Sequence, residues 1–329
     1  MRNHFLTTIL VLFIVTSYGQ QHYSKSVLLM GSDFKITVVA NSKQEGEKYI
    51  NLAIVEIERI EQLISSWDPN SQTSLINKNA GINPVVVNQE LFDLIQRSKK
   101  LSELTGGAFD VSFASMDKIW KFDGSVTTMP PANEVKASVE KVGHDNIVMN
   151  PEATTVFLRK KGMKIGFGAI GKGYAADKAK ELLIAKGVIA GIINASGDLT
   201  TWGNKPDGKP WVVGIKNPLN KNKVFAWFPV DNRAIVTSGN YEKYVVINGI
   251  RYTHIINPKT GYPSQGVISA SVFAPKAELA DALATSIFVL GLERGLYFIN
   301  QLNGVDCVIV TDTGKIHYSN NIQNEIQEN

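Results

Sequence analysis

Two oxygen-bearing side chains in an otherwise apolar stretch carry the strongest chemical signal in this sequence. In AELADALATSIFVLG, residues 277–291, Asp281 and Thr285 stand four apart. That spacing puts both on one face of a helix. A carboxylate among apolar neighbours is costly unless a proton, a donor or a cation neutralises it. Carboxylate plus hydroxyl is a pair of hard oxygen ligands, suited to Mg²⁺ with water and substrate phosphate completing its shell. A second reading stays open: Asp281 gains about 0.3–1 kcal/mol from a nearby helix N-terminus, and Thr285 bonds back to a carbonyl.

A second stretch is suited to holding anions. KIGFGAIGKGYAADKA, residues 164–179, has glycines at 166, 168, 171 and 173 and a lysine at 172. Glycines allow close backbone approach, and amides at the start of a helix attract phosphate. The GxxxxGK[ST] order of a P-loop is absent. TGGAFDVS, 105–112, is a helix stop or a ligand loop. His254 ends a hairpin strand and enters a stiff loop, Asn257-Pro258 to Gly261-Tyr262-Pro263, which makes it a candidate base. Ser238 stands in TSGN rather than in a GxSxG elbow, which argues against a serine hydrolase. The single cysteine, Cys307, lies in an apolar strand-like run and reads as a buried small hydrophobe.

The elements that must position these residues follow from periodicity. Residues 26–40 read as strand, broken at Met30-Gly31. Ser42 to Glu45 is a capping box ahead of Ile50, Ile54, Ile57, Ile60 and Ile64 at helical spacing. Residues 65–81 read as loop, and Asn88 caps a second helix that ends at Thr105-Gly106-Gly107. VGHDNIVMN and TTVFLRKKGMKIGFG read as strands, 171–187 as helix, and 188–198 as a buried strand leading into a loop. Asn248-Gly249 turns a hairpin over 243–255. VISASVFA is a strand, the helix at 277–291 is followed by another over LERGLYFINQL, and CVIVTDTGKIHYS closes as a hairpin. Without a steady βαβ rhythm, the expected class is α+β, with mixed, mainly antiparallel sheets and packed helices.

Composition is that of a globular chain: 329 residues, 44% hydrophobic, 19% charged, formal charge +4. No basic run or aromatic-basic patch points to nucleic acid. Residues 1–19 read as a secretory signal peptide, with Arg2, an apolar run from Phe5 to Val15, and Ser17-Tyr18-Gly19. Residues 20–329 are then expected to form one domain, exported to the periplasm, with no transmembrane segment in the mature chain.

The ordered motifs carry a resemblance. MGSDFKITV, SSWDPNSQTSLINKNAG, TGGAFDVS, GAIGKGYAADKA, INASGDL, VTSGNYEKY, THIINPKTGYP and ELADALATSIFVLG occur in the order seen in the ApbE family of FAD:protein FMN transferases, from about Leu29 to the final hairpin. The resemblance implies a T-fold-related architecture and an enzyme that uses Mg²⁺ and FAD. It implies cleavage of the pyrophosphate, attachment of FMN to a Thr or Ser of a target protein such as a membrane redox-complex subunit, and release of AMP. FAD hydrolysis to FMN and AMP, or flavin binding in the periplasm without catalysis, are the alternatives. By motif, it assigns metal contacts to Ala169 (through its carbonyl), Asp281 and Thr285. It assigns FAD contacts to Met30, Trp67, Ala108, Phe109, Asp110, Lys172 and Ile255, and catalysis to His254. Three positions depart from the family pattern: Gly166 for Asp, Asn257 for Asp, and Ser196 for Gly.

Overall fold

The computed structural model describes residues 20–123, 125, 128–240 and 244–323. The proposed leader lies outside them, as do Tyr241 to Lys243 of the VTSGNYEKY motif. The strands are β1 (Gln21–Leu29), β2 (Ser32–Ala40), β3 (Val85–Val86), β4 (Ile147–Asn150), β5 (Thr155–Leu158), β6 (Gly191–Ala195), β7 (Asp198–Trp202), β8 (Trp211–Asn217), β9 (Asn220–Val230), β10 (Ala234–Gly239), β11 (Tyr244–Ile247), β12 (Ile250–Thr253), β13 (Val267–Ala274), β14 (Asp306–Thr311) and β15 (Ile316–Tyr318). The α-helices are α1 (Lys43–Ile64), α2 (Gln72–Lys78), α3 (Gln89–Leu104), α4 (Ala132–Ser138), α5 (Gly171–Ala185) and α6 (Ala277–Ile299).

Eight strands form the main sheet in the order β1-β2-β6-β7-β10-β13-β14-β15. Every pairing in it is antiparallel. The α+β class with antiparallel sheets is therefore the one expected. Helices α1 and α5 cover one half of the sheet and α6 the other, with α5 packed against both. β3, β4 and β5 form a small separate sheet, and β8–β9 and β11–β12 are two-stranded ribbons.

Local chemistry explains the main elements. Ser42 Oγ accepts from the Glu45 amide at 3.2 Å, and the Glu45 carboxylate reaches back to the Asn41 amide at 2.8 Å. Behind this cap, Ile50, Ala53, Ile57 and Ile60 of α1 are buried in the main core. Each fully buried isoleucine contributes about 1.5–3 kcal/mol. Asn88 caps α3 through Leu91 at 2.8 Å. Met30 and Gly31 adopt φ of 50° and 66°, so the expected break between residues 26 and 40 is a tight hairpin turn. Asn248 (φ 51°) and Gly249 (φ 76°) turn β11 into β12 as read. Gly291, at φ 76° and ψ 179°, breaks α6 where two helices were expected.

Three expectations change. Residues 65–81 contain a helix, α2, because Ser71 caps it through Ser74 at 2.9 Å and Ile76 is buried beneath it. TTVFLRKKGMKIGFG is strand only over β5: Gly162 turns the chain at φ 77°, and the rest follows no sheet. The segment after β6 is a tight turn into β7, not a loop. In addition, α6 is long and apolar enough to cross a membrane by length and composition, with mean hydropathy 1.4. Its apolarity has another use here, since it packs on β10, β13 and β14 with Ala280, Leu283, Ala284 and Ile287 fully buried.

Candidate active site

The ends of these elements enclose a cavity of about 980 Å³. Ala108, Phe109 and Asp110 line one wall, Gly166 to Ala169 the floor with Lys172, and the β6–β7 turn another side. Strands β8 and β10, the segment from His254 to Ile256, and Asp281 with Thr285 complete it. Nine of the expected site residues join Trp67 here: Ala108, Phe109, Asp110, Ala169, Lys172, His254, Ile255, Asp281 and Thr285. Met30 stands just behind. Its amide donates to Glu61 at 3.0 Å, and its side chain packs against the main core.

The glycine segment keeps its shape although no strand pairs with it. Asn77 grips Ile165 on both sides, donating to its carbonyl at 3.0 Å and accepting from its amide at 2.8 Å. Ser115 does the same for Lys164, at 2.7 Å each way. These side chains satisfy backbone groups that would otherwise need a sheet. A Cβ at Gly166 would stand 2.9 Å from that of Ala114. This close approach accounts for glycine here, where the family writes Asp.

Asp110 is fully engaged by protein. One oxygen accepts from the amide and hydroxyl of Ser112, at 2.8 and 2.6 Å, and the other from the amide and ring of His144, at 3.1 and 2.8 Å. Its carboxylate therefore sets the loop that brings Ala108 and Phe109 to the cavity wall. Asn257 is also structural: its Oδ1 accepts from the amides of Lys259 and Thr260, at 2.9 and 3.3 Å. An amide oxygen does this as well as a carboxylate, so the departure at 257 leaves the loop intact. Ser196 holds φ 55° in the β6–β7 turn, a conformation that favours the family's glycine. At the rim, Trp67 is 81% exposed with Lys118 Nζ 4.7 Å from its ring centre. His254 meets the edge of Phe122 at 6.5 Å between ring centres.

The electrostatic centre is a buried cluster where α5 meets α6. Lys172 ion-pairs with Asp198, and Asp281 stands beside that pair. Asp198 and Asp281 are only 2% and 5% exposed. Burial raises the Asp198 carboxyl above its ordinary range, against the opposing pull of Lys172. Burial first, and then the Asp198 charge, push Asp281 far above that range. The Gly173 amide lies 3.4 Å from Asp281. Two buried carboxylates thus share one lysine. Asp198 is the member that sequence reasoning missed; its one signal was the aspartate before the last residue of INASGDL.

That donor set suits a divalent cation: one more positive charge would let both carboxylates ionise, and Thr285 adds a second hard oxygen on the same helix face. Among the described residues, no three His, Cys, Asp or Glu side chains converge as a metal cluster. Any ion here must therefore draw on hydroxyl, main-chain or solvent oxygen as well.

Comparison with known proteins agrees with this geometry. Residues 30–309 match the ApbE family. A protein of Klebsiella pneumoniae named FAD:protein FMN transferase is 30% identical over 291 residues, spanning 88% of this chain and 89% of that protein. One of the same name from Treponema pallidum is 29% identical, over 93% and 89%. The crystal structure of the ApbE protein of Thermotoga maritima superposes with a TM-score of 0.84 at 30% identity, covering 92% of this chain and 98% of that one. On a match that runs through nearly all the described elements, the chain belongs to the ApbE family.

Proposed function

We propose that the protein is an Mg²⁺-dependent FAD:protein FMN transferase, placing FMN on a Thr or Ser hydroxyl of a target protein and releasing AMP. The observation that carries this reading is the Lys172–Asp198–Asp281 cluster, with its excess carboxylate, opening onto a cavity large enough for a dinucleotide. Asp281, Thr285 and the Ala169 carbonyl would hold the ion. When bound, Mg²⁺ withdraws charge from the pyrophosphate and eases departure of AMP.

The chain's own residues do the rest. Lys172, fixed by Asp198, offers positive charge beside the glycine amides that open α5, where developing negative charge is stabilised. Phe109 and Trp67 offer aromatic surface to the flavin. His254, held against Phe122, would accept the proton of the attacking hydroxyl. The hydroxyl forms the new O–P bond to the FMN phosphorus as the bond to the AMP oxygen breaks. Residues 1–19 would export the enzyme to the periplasm, where it would meet its target. N-terminal sequencing of the secreted protein tests that part.

Purified protein incubated with FAD, Mg²⁺ and a candidate acceptor tests the chemistry. Protein-linked flavin fluorescence after denaturing electrophoresis, with one AMP per flavin transferred, is the expected result. AMP and free FMN alone would make it a pyrophosphatase, and unchanged FAD a binding protein.

A further inference from the structure

Helix α6 begins without a cap of its own. Its N-cap residue is Lys276, which makes no side-chain capping bond. The first-turn amides have no acceptor within the helix and need one from outside it. Asp177, a buried residue of α5, supplies one: its Oδ2 accepts from the Glu278 amide at 2.9 Å, and its carboxylate also engages the Ala277 amide. The two helices touch at this point. A Cβ at Gly173 would stand 2.3 Å from the Ala277 carbonyl oxygen. Asp281 follows Ala277 by four residues and therefore stacks one turn above it.

We propose that Asp177 is a positioning residue for the site: by capping α6 from the neighbouring helix, it fixes the height of Asp281 and Thr285 against Lys172 and the glycine turn. Gly173 makes the contact close enough for the cap to form, and Asp177 fixes the register of one helix on the other. The ion pair from Arg97 to Glu278, at 2.7 Å, anchors the same turn from α3. The functional consequence rests on the reading that Asp281 and Thr285 hold the cation.

Three variants test this: Asp177→Ala, Asp177→Asn and Asp281→Asn. Hydrogen exchange over residues 277–285 and Mn²⁺ binding followed by electron paramagnetic resonance are measured alongside flavin transfer. Asp177→Ala is expected to speed exchange in the first turn of α6 and to weaken Mn²⁺ binding and transfer by about 10–100-fold, the range for groups that support metal ligands. Asp177→Asn keeps an oxygen acceptor and is expected to recover most of that loss. Unchanged exchange and Mn²⁺ affinity in Asp177→Ala would overturn the proposal. So would an Asp177→Asn protein that folds, by its circular dichroism, yet is as impaired as the alanine variant. Asp281→Asn separates the two claims. If it transfers flavin at the full rate, the metal reading fails; if it is inactive while Asp177→Ala behaves as wild type, only the cap fails.

Discussion

The crossing of α5 and α6 carries charge on two sides, and the two sides are balanced differently. Behind the helices, a groove of about 630 Å³ is lined by Glu56, Arg59, Glu90, Arg97, Tyr174 and Glu278 among others. There, Arg59 holds Glu56 at 2.7 Å and Glu90 at 2.6 Å, and Arg97 holds Glu278 at 2.7 Å. The Arg59 hydrogen bond draws the Glu90 carboxyl below its ordinary range. At the cavity, Lys172 ion-pairs with Asp198, Asp281 stands beside them, and burial pushes both carboxyls up. Similar residue types on the two sides of this crossing serve two ends. In each place two carboxylates stand on one cation: at the edge of solvent Arg59 fastens Glu56 and Glu90, while in the interior burial pushes both Asp198 and Asp281 up.

The contrast can be broken at either end. The largest effect is expected from Asp281→Ala, which removes the excess carboxylate. Flavin transfer should fall by more than about 100-fold, beyond the range for supporting groups, as measured by in-gel flavin fluorescence at saturating Mg²⁺. Next comes Asp198→Asn, which frees Lys172 from its anchor and removes the charge that opposes Asp281. Transfer should fall by about 10–100-fold, with the midpoint of Mg²⁺ activation as the reading. Gly173→Ala forces the helices apart at the crossing, and a cost of about 1–3 kcal/mol is expected in urea unfolding, as for overpacking elsewhere.

The fourth prediction concerns pH. Burial pushes Asp177 up to about 6, with the Glu278 and Ala277 amides and Lys180 pulling it down and the Glu278 charge adding to the rise. A carboxyl whose folded pKa exceeds its unfolded one loses stability as pH climbs through that interval. Wild-type protein should therefore lose about 2–3 kcal/mol between pH 4 and 7 from this group, and Asp177→Asn should lack that loss in paired unfolding curves. The smallest effect belongs to the groove: Arg59→Met should cost less than about 1 kcal/mol, shrink further in high salt, and leave transfer unaltered.

How far the sequence revealed this arrangement depends on whether the signal was local. Asp281 and Thr285 were legible because helical spacing puts them on one face, and Lys172 because glycines surround it. α1 and α3 announced themselves through their caps and apolar stripes. Asp198 was not legible in the same way. Its role is set by Lys172, which lies 26 positions earlier and reaches it only across the α5–β7 packing. The wall at 164–165 was misread as strand because its apolar residues are real, but their backbone partners are the side chains of Asn77 and Ser115. Helix α2 was hidden by its polar surface, with Ile76 as its main apolar anchor. Each miss is a local pattern outvoted by a distant contact.

The order of strands in the large sheet has a consequence for how the enzyme comes into being. β2 pairs directly with β6, joining Phe34 to Ala195 with nearly half of the chain between them. Such closure is slow, because entropy is lost before the contacts that reward it exist. Trp67 and the 108–110 wall belong to the segment inside that closure; Asp198, His254 and Asp281 lie beyond it. A nascent chain must therefore bring Trp67, the 108–110 wall and Lys172 to Asp198, His254 and Asp281 across that one pairing, and a fragment ending before it lacks both carboxylates of the charged centre.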